Sequence, residues 1–202
     1  MSWTEKVSIR IARKIRPADS PYSVGQISHG IEIVLLYLFN AAALLLSALW
    51  LDVFWEAVGL AGFYILHRLF TGGIHFRNAW TCLLTGVSTM IAGAVLVKYS
   101  PDLGNVSYVL LNLMLMASFW MNARYAPAEH TYVSTDPRIK KISRGIILSI
   151  IPIGCIFCNI LLVYEYNQLA ITYAFASLLQ AVHVHPVSFR VIARIENLFR
   201  EG

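Results

Sequence analysis

Charged residues are scarce in this sequence. Lysine, arginine, aspartate and glutamate together make up 13% of its 202 residues, whereas 57% are hydrophobic, and the mean hydropathy is +0.62. In an ordinary soluble domain about a quarter of the residues are charged, and long uncharged runs of the kind that recur here are avoided. The shortage of charge therefore argues against a soluble domain and predicts an all-α polytopic membrane protein.

The first 16 residues lack the apolar stretch of a cleavable signal peptide, so we expect none. They carry five cations instead: Lys6, Arg10, Arg13, Lys14 and Arg16. An apolar residue recurs at every fourth position, at Trp3, Val7, Ile11 and Ile15. This pattern predicts a basic amphipathic helix over residues 1–16 that lies on an anionic membrane surface, with lipids as its partner.

Six hydrophobic runs follow, at residues 31–51, 53–70, 79–99, 103–123, 145–164 and 168–186. A helix needs about 20 residues to cross the hydrocarbon core. The first, third, fourth and fifth runs meet this requirement and are predicted spans. The second and sixth also hold polar residues, such as Glu56 and Gln180, and are predicted spans on the further evidence of charge.

The distribution of lysine and arginine favours six transmembrane helices. With six spans, 15 of the 16 cations lie on one side and only Lys98 lies on the other. The positive-inside rule then places both termini and residues 68–82 in the cytoplasm. The net charge of +5 is explained by topology, so we expect no nucleic-acid partner.

The predicted organisation is a single integral-membrane domain over residues 1–202, with a six-span bundle at 31–186. The one long polar connection, between Arg124 and Arg144, holds Pro127 and Pro137 as predicted helix breakers. Residues 187–200 place Val191, Ile195 and Leu198 on one helical stripe between arginines. They predict a second interfacial helix.

Cysteine is also scarce, and its three positions differ. Cys155 and Cys158 lie in an apolar run, where cysteine is usually a small buried residue. Cys82 follows His75 by seven residues, about two turns if the segment is helical, which would place a thiol and a base on one face. Asn78 is a candidate N-cap that would put Cys82 in the first turn, where the positive helix end favours thiolate.

Two features beside this pair suit a catalytic site. Gly72 and Gly73 break the second span and allow close backbone approach, and their amides are candidates to hold an oxyanion. Arg68 lies at the membrane edge, where it would pair with a substrate carboxylate or extend to lipid headgroups. These residues also have ordinary interpretations. His75 would then be a packing residue, the glycine pair a simple interhelical turn, and Arg68 a contact to lipid headgroups.

The segment from Arg68 to Cys82 reads R-L-F-T-G-G-I-H-F-R-N-A-W-T-C and resembles the signature of the accessory gene regulator B (AgrB) family. Residues 125–129, Y-A-P-A-E, resemble that family's Y-A-P-A-D, with Glu129 in place of the aspartate. The resemblance implies a cysteine endopeptidase, embedded in the bacterial cell membrane, that matures quorum-sensing propeptides. It also implies that Arg68, Gly73, His75 and Cys82 are required for activity.

The resemblance further implies a mechanism and partners. His75 would take the Cys82 proton, and Cys82 would form an acyl-enzyme with an AgrD-like propeptide and release its C-terminal part. Attack by a substrate thiol or hydroxyl would then give a thiolactone or a lactone. We expect no cofactor, no metal and a homodimer. A third catalytic residue stays open among Glu129, Asp136 and Asn78.

Two other functions fit parts of the sequence. A transporter or peptide exporter without covalent chemistry would explain the spans and the membrane-edge charges Glu32, Glu56 and Arg68. It gives no reason for the cluster of His75 and Cys82. A heavy-metal carrier would use the side chains of His75, Cys82, His183 and His185, which come from distant runs.

Overall fold

The computed structural model describes residues 3–17, 19–74, 79–101, 104–128 and 136–198. In these ranges the chain forms eight α-helices and no strand, which confirms the predicted all-α class. The helices are α1 (Trp3–Ile15), α2 (Val24–Trp50), α3 (Phe54–Thr71), α4 (Ala79–Lys98), α5 (Asn105–Tyr125), α6 (Pro137–Val163), α7 (Asn167–Val184) and α8 (Pro186–Leu198). The six hydrophobic runs correspond in order to α2 through α7.

Among the described residues, four helices are long and apolar enough to cross a membrane. They are α2, α5, α6 and the Trp80–Lys98 part of α4. Helices α3 and α7 have 18 residues each, or about 27 Å at 1.5 Å per residue, but they are more polar. Four candidate spans are therefore established by length and composition, and the crossing of α3 and α7 stays a prediction.

Helix α7 lies inside the bundle, where it packs against α3, α4, α5 and α6. Half of its residues are buried, most of them small: Ala170, Thr172, Tyr173, Ala174, Ala176, Ser177, Gln180, Ala181 and Val184. The Ser177 hydroxyl lies 2.7 Å from that of Ser118 on α5. Because its neighbours are helices, α7 tolerates polar side chains that find partners inside the protein. Its interior position explains why its sequence is less apolar than that of a lipid-facing span.

Two helices begin earlier than the hydrophobic runs predicted. Helix α2 begins at Val24, after a capping box in which the Gln26 N–H donates to Ser23 Oγ at 3.2 Å and the Ser23 N–H donates to Gln26 Oε1 at 2.9 Å. Helix α6 begins at Pro137, after Asp136 caps the N–H two residues later at 2.8 Å. The prediction of Pro137 as a breaker was wrong, because proline is favoured in the first helical turn.

Helix α1 confirms the predicted N-terminal helix and packs against α2. The face that meets α2 consists of three small buried residues, Thr4, Ser8 and Ala12. Thr4 Oγ1 donates to Glu32 Oε1 of α2 at 2.7 Å. Ile11 and Ile15 of the predicted apolar stripe are 37% and 57% exposed, so that stripe is free to meet lipid. Its location at the membrane surface stays a prediction.

Helix α8 occupies most of the segment predicted to form a C-terminal interfacial helix. It begins at Pro186, two residues after the end of α7, and ends at Leu198. Ile192 is buried, whereas Val187 and Val191 are exposed. Its apolar residues are thus divided between the protein and a surface that lipid can cover.

Candidate functional site

Two glycines end α3 and begin the connection to α4. Gly72 has φ 65° and Gly73 has φ 134°, values that glycine adopts more readily than any other residue. The Gly72 N–H donates to the Arg68 carbonyl at 3.0 Å and closes the last turn of the helix. The helix break is therefore present at the predicted glycine pair.

Three of the predicted site residues, His75, Asn78 and Glu129, lie outside the described residues, and their roles stay predictions. The helical spacing from His75 to Cys82 is likewise untested. Cys82 is the fourth residue of α4, within its first turn, as the sequence predicted.

Arg68 is held in the last turn of α3 by two neutral acceptors. Its Nη1 donates to the Tyr64 hydroxyl at 2.7 Å, and its Nη2 donates to the Ile74 carbonyl at 2.6 Å. Among the described residues no carboxylate lies within ion-pair distance of the guanidinium. The two hydrogen bonds fix both arms of the side chain and leave its positive charge without a counter-ion from that part of the chain.

The Tyr64 hydroxyl connects Arg68 to α7. Tyr64 is buried, and its Oη lies 2.7 Å from Nδ1 of His183. Because the hydroxyl oxygen accepts from Arg68, its own proton is available to donate to Nδ1, which requires a neutral imidazole with the proton on Nε2. The two rings also meet edge to face, with centroids 5.6 Å apart. Arg68, Tyr64 and His183 thus form one chain of hydrogen bonds across α3 and α7.

Helix α7 also holds the backbone of the glycine turn. Gln180, which is fully buried, donates through Nε2 to the Gly72 carbonyl at 2.7 Å and to Thr71 Oγ1 at 2.5 Å. One turn later, the His183 carbonyl accepts the Ile74 N–H at 3.3 Å. These bonds hold the turn at two points, so α7 sets where it lies.

The amides of the turn are only partly available to an oxyanion. The Gly72 N–H closes α3, so it does not fit the predicted role without rearrangement, and the Ile74 N–H donates to α7. The Gly73 N–H has no acceptor within the described ranges. Of the two glycine amides predicted to hold an oxyanion, the Gly73 amide is the one that stays a candidate.

Cys82 is half-buried, and Arg68 and Tyr64 lie close enough to interact with its thiol electrostatically. Burial of the sulfur is the larger effect and disfavours the thiolate, which is the nucleophilic form, whereas the positive charge of Arg68 opposes this effect. The first turn of α4 adds the positive end of the helix dipole. The site can therefore support nucleophilic chemistry at sulfur once a base removes the proton.

The other cysteines lie apart from this site. Cys155 Sγ donates to Asn112 Oδ1 at 3.1 Å, and Cys158 is buried beside the Ala170 carbonyl at 3.6 Å. Within the described ranges, no three His, Cys, Asp or Glu side chains group as metal ligands. Two histidines of the metal-carrier hypothesis have aromatic partners: the His183 ring meets Tyr64 and the His185 ring packs against Tyr125.

Sequence reasoning missed Tyr64 and Gln180, and it considered His183 only as a metal ligand. A local signal existed for Tyr64, which precedes Arg68 by four residues and so shares its helix face. Gln180 and His183 are three residues apart on α7 and also share a face. Their contact with α3 joins positions 108 to 119 residues apart in sequence, which local patterns do not encode.

The family model described as accessory gene regulator B matches residues 6–184. Two relatives are named as AgrB-like proteins, a designation that states no activity. The protein from Halalkalibacterium halodurans is 24% identical over 200 residues, which cover 98% of this chain and 95% of the relative. The protein from Listeria innocua is 20% identical over 196 residues, which cover 95% and 91%.

No solved structure is detectably similar to the chain. The family match nevertheless spans α2 through α7 and includes the segment from Arg68 to Cys82. The four apolar helices agree with the membrane character that the resemblance implied. The chain belongs to the accessory gene regulator B family.

Proposed function

We propose that the chain is a membrane-embedded cysteine endopeptidase that removes the C-terminal part of a quorum-sensing propeptide. Family membership supports a part in accessory gene regulator peptide processing, and an AgrD-like propeptide is the corresponding substrate. The observation that carries the chemistry is the position of Cys82 in the first turn of α4, within electrostatic reach of an Arg68 that has no carboxylate partner among the described residues.

In the first step His75 takes the Cys82 proton, and the thiolate attacks one peptide carbonyl of the bound propeptide. Arg68 stabilises the thiolate, and the Gly73 N–H is a candidate donor to the oxyanion. The C–N bond then breaks, and the imidazolium of His75 gives its proton to the leaving amine. The C-terminal fragment departs, and the N-terminal part stays on Cys82 as a thioester.

A second nucleophile then releases the product. If a cysteine thiol of the same peptide attacks the thioester, the Cys82 thiolate leaves and the peptide closes into a thiolactone. One thioester replaces another, so this step needs no ATP. A serine hydroxyl would give a lactone instead. Forming the thioester from an amide is unfavourable, so removal of the product must draw the reaction forward.

The proposed arrangement in the cell is a six-span protein with both termini and the site at the cytoplasmic face. Membrane lipids would contact α1 and α8, and two copies of the chain would form a homodimer. Chemical crosslinking in native membranes, followed by mass measurement of the product, tests the dimer. A species of only one chain's mass at every crosslinker length would contradict it.

The cysteine chemistry is tested by cleavage of a candidate propeptide with purified protein in lipid. We expect Cys82→Ala to lose cleavage while it still binds the peptide and unfolds at the wild-type temperature. Cys155→Ser is the matched control, because serine keeps a donor to Asn112 outside the site. Full cleavage by Cys82→Ala would reject the enzyme and favour a transporter or exporter.

A further inference from the structure

The charge of Arg68 acts on Cys82 only if a long, flexible side chain keeps one position. Fixing an arginine side chain in one position costs conformational entropy, because the free side chain has many rotamers. Here Tyr64 holds one arm of the fork and the Ile74 carbonyl holds the other, at 2.7 and 2.6 Å. The guanidinium is thus held between the preceding turn of its own helix and the loop that leads to α4.

Both hydrogen-bond acceptors of Arg68, the Tyr64 hydroxyl and the Ile74 carbonyl, are in turn positioned by α7. The Tyr64 hydroxyl is oriented by Nδ1 of His183, and the Ile74 N–H is bound by the His183 carbonyl. One residue of α7 therefore fixes both acceptors of Arg68, through its side chain and through its backbone. Apart from Arg68 and His183, no described side chain forms a hydrogen bond with the Tyr64 hydroxyl.

From this geometry we propose that Tyr64 and His183 are positioning residues, which hold the Arg68 guanidinium where its charge stabilises the Cys82 thiolate. Their catalytic meaning rests on the proposed function, whereas their effect on the thiol can be measured without a substrate. Neither residue touches the reacting atoms. His183 acts as a neutral imidazole, and its Nδ1 orients Tyr64 by accepting a hydrogen bond from the hydroxyl, without any contribution from a positive charge.

Substitutions can separate these contributions. Tyr64→Phe removes one hydroxyl and keeps the ring, so Arg68 loses an acceptor. His183→Leu removes the acceptor for Tyr64 at a similar volume, while His183→Asn places an amide oxygen near the position of Nδ1 and keeps that acceptor. Tyr99→Phe is the matched control, because Tyr99 is 70% exposed and lies just beyond the far end of α4.

The first measurement is the rate of Cys82 alkylation by iodoacetamide between pH 6 and 10, followed by mass spectrometry of the peptide that contains Cys82. The reagent is neutral, so a change in local charge does not alter its approach. Among the described residues, the titratable groups that interact electrostatically with the thiol are Arg68 and Tyr64 of α3. Tyr37 of α2 interacts in the same way with Tyr64, and His183 of α7 with Arg68.

We expect Tyr64→Phe and His183→Leu to slow alkylation near neutral pH about threefold to tenfold, since one unit of thiol pKa is a tenfold change in thiolate. His183→Asn should recover most of the rate, and Tyr99→Phe should match wild type. If Cys82 in the Tyr64→Phe variant were alkylated at the wild-type rate at every pH, the proposal would be overturned. An equal loss in His183→Asn and His183→Leu would also overturn it, because that result would show that the acceptor is irrelevant.

The second measurement is single-turnover acylation by a propeptide. In the two disrupting variants its rate should fall about tenfold, while the peptide dissociation constant stays within about twofold of wild type. An acylation rate unchanged from wild type would contradict a positioning role. If wild-type protein neither cleaves nor acylates, the proposed function fails, and the alkylation rates still decide whether Tyr64 and His183 position Arg68. Unfolding temperatures of all variants identify any loss that comes from misfolding.

Discussion

At the scale of single residues, the proposed site contains a cation whose hydrogen-bond partners among the described residues are neutral groups. Arg68 donates to a phenol and a carbonyl, and both leave its charge available. A carboxylate in the same place would neutralise the guanidinium and cancel its effect on Cys82. The absence of an acidic partner in the described part of the chain is therefore a feature that suits the proposed chemistry.

Arg68→Lys tests whether the geometry of the cation matters as well as its charge. Lysine has a single nitrogen and a shorter reach, so it cannot bond the Tyr64 hydroxyl and the Ile74 carbonyl in the same fork-like way. We expect acylation of Cys82 to slow by about tenfold or more, with retained peptide binding. Rates in Arg68→Lys equal to wild type would show that charge alone suffices.

Gly73→Ala tests the close packing of the turn. The φ of 134° strains any residue with a Cβ, and that atom would lie 3.4 Å from both Gln180 Nε2 and the His183 carbonyl. We expect a loss of about 1–3 kcal/mol in the free energy of unfolding, measured by thermal unfolding in detergent. Gly62→Ala, in open space on α3, is the control and should be neutral or stabilising.

At the scale of helices, α7 organises both the core and the site. Its small residues let α3, α5 and α6 approach closely, and its Gln180 and His183 fix the glycine turn. On α6, Gly154 packs directly against the Tyr173 hydroxyl. That hydroxyl donates to the Ile150 carbonyl at 3.2 Å, which links α6 to α7 by a hydrogen bond.

Gly154→Ala should disturb this contact, because an added Cβ would overlap the Tyr173 side chain. Overpacking of this kind costs about 1–3 kcal/mol, so the unfolding temperature should fall. Gly145→Ala, on the same helix with no atom near its Cβ, should show no fall. Equal unfolding temperatures for the two variants would contradict the close approach of α6 and α7.

The helices were largely predictable, since apolar runs of about 20 residues report spans directly. What hydropathy misses is the polar end of a helix: α2 begins at the Ser23 capping box and α6 begins at Pro137, both outside the apolar runs. The cap residues Ser23 and Asp136 carry that information, because they bond the first amides of each helix. The site was predictable only in part, because Arg68, Gly73 and Cys82 lie close in sequence, whereas His183 meets Tyr64 through the packing of α3 on α7.

At the scale of the whole molecule, the six-span arrangement stays a prediction that rests on the distribution of charge. The single cation predicted on the outer side, Lys98, forms an ion pair with Asp52 at 2.7 Å. The Lys98 ammonium lowers the pKa of the Asp52 carboxyl by hydrogen bonding and by its charge. In the predicted six-span arrangement this ion pair would lie on the outer side, and the other 15 lysines and arginines would lie on the cytoplasmic side.

Cysteine labelling distinguishes six spans from four. Pro101, between α4 and α5, faces outward if α3 and α7 cross the membrane and inward if only the four apolar helices do. Lys141, near the start of α6, behaves in the opposite way. In intact cells we expect an impermeant maleimide to label Pro101→Cys and not Lys141→Cys, with wild type as background. The reverse pattern would reject the six-span arrangement.

The most direct measurement of the proposed chemistry is the intact mass of the purified protein after incubation with a candidate propeptide. We predict an adduct with the mass of the N-terminal peptide fragment, located at Cys82 and released by hydroxylamine, which cleaves thioesters. The Cys82→Ala variant should carry no adduct. Cleavage of the propeptide by Cys82→Ala, or an adduct located at Cys155 or Cys158, would contradict the assignment of Cys82 as the nucleophile.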